Sequence, residues 1–171
     1  MKIKSFNTAF LSIYIDRCDF GRGVFAARNI SKGEVILTFT GKVISLTEVL
    51  TKAEKEAANP LQIDINTYID IEEPGVIVNH HCHPNAGIVN TKTLIALTDI
   101  SKGEEIFYDY STTMSENLWT MVCGCSASNC RKIIKDFHYL PDSLKEQYLE
   151  LGIVQNFIVR EHNLNREVSL S

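Results

Sequence analysis

Between Val78 and Asn85 the chain reads Val-Asn-His-His-Cys-His-Pro-Asn, which crowds amide, imidazole and thiol groups beside a turn signal. A single histidine in a polar loop is ordinarily just solvated. Three histidines and a cysteine within His80 to His83 point instead to hydrogen-bonding or metal chemistry. A second dense segment runs from Ile100 to Tyr110, where a turn at Lys102-Gly103 feeds a short aromatic strand carrying Tyr108 and Tyr110. A third spaces Cys123, Cys125 and Cys130 as Cys-x-Cys-x4-Cys, thiols that suit a soft metal once a fourth ligand joins them.

Groups of this kind need a frame to hold them. The chain has 171 residues, enough to bury a core as one compact domain. Hydrophobic residues at 44% and charged residues at 22% argue against disorder, and no apolar run approaches membrane-spanning length. No membrane partner is therefore expected. Met1 to Asn7 lacks the apolar core of a signal peptide, so the expected location is the cytoplasm, with the nucleus or specialised export as alternatives. A net charge of -4 and a pI of about 5.7 argue against direct nucleic-acid binding and suit a basic protein or peptide partner. Five cysteines without a secretion signal are expected to be reduced, which favours metal ligation over disulfides.

Short β segments dominate the pattern. Phe10 to Ile15 reads as a strand, Asp16 to Gly23 as a loop, Val24 to Ala27 and Val35 to Phe39 as strands. Gly21-Arg22-Gly23-Val24-Phe25-Ala26 matches a dinucleotide fingerprint, but that motif requires a helix next and a strand follows, so the reading is a tight glycine turn. Asn29 to Ile36 recurs as Asp99 to Ile106, read as two similar hairpins in one small-sheet domain. Leu46 to Ala58 reads as a helix capped by Thr47, and Gln62 to Ile71 as a hairpin turning near Asn66. After the cysteines, Pro141-Asp142-Ser143 starts a helix with Leu144, Tyr148 and Leu151 at helical spacing as far as Gly152. A second helix is expected over Ile153 to Arg160, with Glu161 to Ser171 frayed. The tail is expected to pack on the domain. Asp64, Asp70, Glu72 and Glu73 form a candidate acidic face.

Taken together, Asn79-His80-x-Cys82-x-Pro84-Asn85, Gly103-Glu104-Glu105-Ile106-x-x-Asp109-Tyr110 and the cysteine triplet resemble the SET domain of protein lysine methyltransferases with its cysteine-rich post-SET tail. The resemblance begins near Gly21 and runs to about Cys130. It implies a mainly β fold with a few helices, built of small sheets with a pseudoknot-like crossing. The implied layout is a SET domain over 1–115 with an insert at about 42–75, a post-SET segment over 116–135 and a helical tail over 136–171.

The resemblance also implies chemistry. S-adenosylmethionine would be held by Gly21, Arg22, Gly23, Asn79, His80 and Tyr110, and a methyl group would pass to a lysine of a basic protein substrate. Tyr110 is implied as the catalytic tyrosine. Tyr108 stands at the family's product-specificity position, where a tyrosine implies mono- or at most dimethylation. Where many members carry a further tyrosine in the lysine channel, this chain has Phe39. Cys82 is implied as the fourth ligand of a structural zinc with Cys123, Cys125 and Cys130, while His81, His83 and His138 remain alternatives to Cys82. Cys18 has no evident partner in the sequence. The alternative from another class is a non-catalytic SET-like module that keeps fold and zinc for protein binding. A zinc hydrolase would need an open metal position, which an all-cysteine set does not offer.

Overall fold

The computed structural model describes residues 12–169. Phe10 and Leu11, where the first strand was expected to open, lie outside them. The described chain is mainly β, in sheets of two or three short strands, with helices confined to the insert and the tail. Strands β1 (Ile13–Cys18) and β2 (Gly21–Ala26) form an antiparallel hairpin in which Cys18 pairs with Gly21. The expected loop from Asp16 to Gly23 thus shrinks to a turn at Asp19 and Phe20, because Gly21 adopts a φ of 103° that few other residues tolerate.

Strand β3 (Val35–Thr38) and β4 (Gly41–Ser45) follow. The insert then contributes helices α1 (Leu46–Leu50) and α2 (Glu54–Ala57) and the hairpin β5 (Leu61–Asp64) to β6 (Thr67–Ile71). The single helix expected over Leu46 to Ala58 is two short ones. Its cap is Ser45, not Thr47: the Ser45 hydroxyl accepts from the Glu48 backbone N–H, and the Glu48 carboxylate reaches back to the Ser45 N–H in a capping box. Glu48 is accordingly held down at about 2 by the Ser45 N–H, with Lys42 adding to it. The hairpin turns at Asn66, with φ of 55°, as its alternation predicts.

A 3-10 turn over Gly75–Ile77 leads into β7 (Asn79–His80), followed by β8 (Ala86–Val89), β9 (Thr93–Ala96) and β10 (Phe107–Tyr108). The sheets order as β3-β9-β8, β4-β6-β5 and β7-β10, and the last pair is parallel. One core unites them, with Val24, Ile30, Ile36, Phe39, Leu94, Ile100 and Ile106 all about fully buried.

The internal repeat sits at the centre of this core in an arrangement that differs from two separate hairpins. The copies pair with each other: Ile30 and Ile100 exchange backbone hydrogen bonds at 2.9 Å in both directions. Gly33 N–H donates to Ala96 O, and Gly103 N–H to Ala26 O, each at 2.8 Å. Asp99 accepts from Lys32 N–H at 2.8 Å, and Asn29 from Lys102 N–H at 2.9 Å. The sequence repeat is thus a local two-fold, which fixes β2 beside the segment that carries Glu105, bridged to Phe25.

Beyond β10 come a 3-10 turn (Tyr110–Thr113), the hairpin β11 (Met121–Val122) to β12 (Ile133–Ile134), and helices α3 (Asp142–Glu150) and α4 (Asn156–Ser169). Helix α4 continues well past Arg160 to Ser169, where fraying was expected; its first turns are anchored by Phe157 and Ile158. The tail does pack on the domain. Phe137, Leu140, Tyr148, Ile153, Phe157 and Ile158 form a second core against Val89 and Leu97. Ile153 lies so close to β8 that a Cβ at Gly87 would stand 2.6 Å from its Cγ2.

Candidate active site

Parallel pairing of β7 with β10 sets Phe107 beside Asn79 and Tyr108 beside His80. Two segments far apart in sequence thereby share one corner, as the implied crossing requires. The Tyr110 backbone N–H donates to His80 Nδ1 at 3.2 Å, and the Tyr110 hydroxyl donates to Val78 O at 2.9 Å. Tyr108 and Tyr110 lie with ring centroids 4.8 Å apart, and Phe39 meets Tyr108 edge-on at 5.9 Å. Burial pushes both phenols above their usual range, so both stay protonated.

Asn79 joins this corner to the glycine strand. Its side-chain amide donates to Arg22 O at 2.9 Å and to Glu105 Oε1 at 2.8 Å, and lies 3.4 Å from Cys18 Sγ. Gly21, Arg22, Gly23 and Asn79 are therefore brought together, with Cys18 and Glu105 as members the sequence reading left out. The Arg22 side chain turns away to pair with Glu73 at 2.8 Å, leaving its backbone at the corner. His80 sits differently. Its imidazole is turned inward, with Nε2 3.4 Å from Cys82 Sγ, and burial holds it down to about 4, so it is neutral. Because Nδ1 accepts from Tyr110, the proton resides on Nε2 and points at sulfur. The 3.6 Å approach of Asp109 to Nδ1 is therefore no ion pair.

On the other side of the tyrosines a cavity of about 210 Å³ opens between the insert and the segment after Tyr110. Val49, Leu61, Val76 and Trp119 give it apolar walls, Tyr108 and Tyr110 face it, and Glu116 and Asp136 bring carboxylates to it. Among the described residues no donor reaches Glu116 Oε2, and burial, with the fields of Asp136 and Glu161, raises this carboxyl above its usual range. A lone glutamate on a loop gave no sequence signal. The acidic face proposed from sequence is largely spent: Asp64 pairs with Arg160, Asp70 with Lys52 and Glu73 with Arg22.

The four thiols of Cys82, Cys123, Cys125 and Cys130 lie within 4.8 Å of one another, with Cys82 and Cys123 Sγ atoms 3.9 Å apart. Sulfurs bound at about 2.3 Å around a tetrahedral ion stand about 3.8 Å apart, so the set fits a metal ion. Cys82 is the fourth thiol. Neither His81, hydrogen-bonded to the His83 backbone, nor His138, packed on Tyr139, joins the cluster. Burial pushes Cys82 up; at Cys125 burial acts the same way but is outweighed by the backbone N–H groups of Cys82 and Ala127 together with the Cys123 and Cys130 thiols, which hold the thiol down to about 6. One thiol is thus already disposed to ionise.

The comparisons with known proteins bear on this geometry. A family profile for the SET domain matches residues 21–111, from the glycine strand to the turn after the tyrosines. The chain belongs to the SET domain family. Relatives of this SET protein include the variant-silencing SET domain-containing protein of Plasmodium falciparum, 29% identical across 95% of the chain. The histone-lysine N-methyltransferase trr of Drosophila melanogaster is 31% identical across 71% of the chain. The chain spans only 8% and 6% of those two relatives. Its fold is that of the methyltransferase domain of human histone-lysine N-methyltransferase SETMAR, with a TM-score of 0.60 at 19% identity over 72% of this chain and 58% of that one. KRYPTONITE, solved with mCHG DNA and SAH, gives 0.58 at 22% identity over 72% of this chain and 29% of that one. At these identities the likeness is one of fold.

Proposed function

We propose that this SET domain transfers methyl groups from S-adenosylmethionine to lysine side chains of a basic protein, adding one or two per lysine. The observation that carries the reading is the joining of Tyr108, Tyr110 and Asn79 at one corner, with the glycine strand on one side and an apolar, carboxylate-bearing cavity on the other. The names of the relatives and the SAH bound to KRYPTONITE support it.

The cofactor's place is the strand Gly21–Gly23, Asn79, the His80 backbone and Tyr110. A glycine strand lets main-chain amides and carbonyls approach a ligand closely, and Glu105 supplies negative charge suited to a cationic one. When bound, S-adenosylmethionine supplies a methyl group activated on a sulfonium. The residues of the chain align and prepare the amine. A lysine side chain entering the apolar cavity loses solvation, which lowers its pKa from about 10.4 towards the reactive neutral form. Glu116 draws the ammonium in.

Tyr110 spends its proton on Val78 O, so its oxygen lone pairs remain to accept from the amine N–H and aim the nitrogen. Its raised pKa makes it an orienting group, not a base. The Tyr108 hydroxyl crowds the same space, and with Phe39 beside it in place of a second phenol, Tyr108 is the group that limits how many methyls the amine accumulates.

The thiol cluster is proposed to hold a structural zinc as the post-SET segment. Four cysteines leave no position for hydrolytic water, and the ion would clamp the Cys123–Cys130 loop to the Asn79–Cys82 segment. The test of the function is transfer of labelled methyl from S-adenosylmethionine to a panel of histones and other basic proteins. Label recovered as methyl-lysine after hydrolysis supports it. Cofactor binding without transfer to any protein of the panel would favour the non-catalytic module.

A further inference from the structure

Asp109 stands between the two tyrosines of the site, and its side chain is wholly shielded from solvent. Three parts of the chain converge on its carboxylate. Arg131, next to the last cysteine, donates to Oδ1 at 2.7 Å, and the Ser111 N–H donates to Oδ1 at 3.0 Å. The Tyr148 hydroxyl of α3 donates to Oδ2 at 2.9 Å. Tyr148 is itself buried, and burial, with the Asp109 field behind it, keeps its phenol protonated and therefore a donor.

The carboxylate matters because of where it is anchored. Asp109 caps the 3-10 turn Tyr110–Thr113, so its position sets the backbone from 108 to 111. That backbone decides whether the Tyr110 hydroxyl reaches Val78 O at 2.9 Å and whether its ring keeps 4.8 Å from Tyr108 and 6.2 Å from Trp119. A buried anion deprived of one donor moves towards those that remain, here Arg131 and Ser111, and carries the turn with it. The tail is also bonded to the turn independently, through the Gln155 N–H donating to Thr112 O at 3.0 Å.

We propose that Tyr148 is a positioning residue of the active site: by donating to Asp109 it holds the Tyr108–Tyr110 turn, which ties this one position of the C-terminal helix α3 to the catalytic centre. The helix lies beyond the residues matched by the family profile. The proposal rests on the roles given above to Tyr108 and Tyr110.

The experiment compares wild type, Tyr148→Phe and Leu144→Ala. Phenylalanine keeps the ring and its packing and removes only the donor. Leu144, half-buried on the same helix, loosens the tail without touching Asp109. The expected result for Tyr148→Phe is a fall in kcat of about tenfold with both KM values within about twofold, and more multiply methylated product. Leu144→Ala should lose as much thermal stability and keep wild-type kcat and product distribution. A second readout needs no turnover: Trp119 is the only tryptophan of the chain and neighbours Tyr110, so its emission should shift in Tyr148→Phe and not in Leu144→Ala. If wild type transfers no methyl to any substrate, the functional reading fails while the Trp119 comparison still decides the positioning. Wild-type kcat and unshifted emission in Tyr148→Phe, or changes matched by Leu144→Ala, would overturn the proposal.

Discussion

Glu105 fills the space beside Gly23: a Cβ built at position 23 would stand 2.2 Å from its Oε1, the oxygen that also accepts from Asn79 at 2.8 Å. The glycine strand, the asparagine and the carboxylate thus form one fitted unit, and a methyl group in the wrong place separates them. Since Oε1 is the far end of a flexible side chain, the strain of Gly23→Ala is relieved by swinging Glu105 away at little cost to the fold. Calorimetric titration with S-adenosylmethionine should show affinity weakened about tenfold, roughly 1.4 kcal/mol, with an almost unchanged melting temperature. Wild-type affinity would remove this corner from the cofactor site.

Tyr108 is buried against Tyr110 and Phe39 and lines the cavity proposed to take the lysine, where its hydroxyl would crowd added methyl groups. Tyr108→Phe frees that space. Mass analysis of the product peptide should show di- and trimethyl-lysine where wild type stops earlier, with total turnover within about threefold of wild type, as expected when a crowding group rather than a transition-state contact is removed. An unchanged product distribution would take the specificity role from Tyr108.

The thiol cluster makes a quantitative claim. Purified protein should carry about one zinc per chain, and Cys125→Ser should lose it. Metal binding is folding free energy for such a segment, so removing a few kcal/mol should lower the melting temperature by about 10 °C and abolish transfer, because the loop no longer closes on Asn79–Cys82. Metal-free protein of full activity would rule the ion out.

The tail meets the domain at a contact with no slack. Ile153 Cγ2 and Cβ would lie 2.6 and 2.9 Å from a methyl group at position 87, and a Cβ cannot rotate away as a carboxylate can. Gly87→Ala should cost about 1–3 kcal/mol in denaturant unfolding. A neutral substitution would mean that α3 and α4 do not dock on β8 in solution.

What the sequence discloses divides by the range of the interactions. The cysteine triplet, the two tyrosines and the Asn66 turn are written in local spacing, and the structure brings each where its neighbours require. The repeat at Asn29 and Asp99 is equally plain as a pattern, but periodicity does not say whether each copy folds on itself or pairs with the other. Here the latter occurs, as the 2.9 Å bonds between Ile30 and Ile100 and the side-chain bonds of Asn29 and Asp99 reveal. Ser45 and Thr47 are both good caps; the choice falls to Ser45 because Glu48 stands three residues on. Asp64, Asp70 and Glu73 look like a free acidic face until Arg160, Lys52 and Arg22 arrive from elsewhere in the chain. Glu105 stands in sequence only as part of a motif without a role of its own, Glu116 is an ordinary glutamate, and Tyr148 is one apolar position of a helix. Their importance comes from what the fold sets beside them: Asn79, the apolar cavity and Asp109.

The rest of the site serves the role proposed for the Tyr110 hydroxyl, orienting a lysine amine for methyl transfer. The most direct test of that role is intact-mass detection of methyl groups added from S-adenosylmethionine to basic proteins by wild type and by Tyr110→Phe, with cofactor affinity measured in both. Transfer by wild type is expected, with a loss of about 10²- to 10³-fold in the variant at equal cofactor affinity. Equal transfer by both proteins would contradict that role.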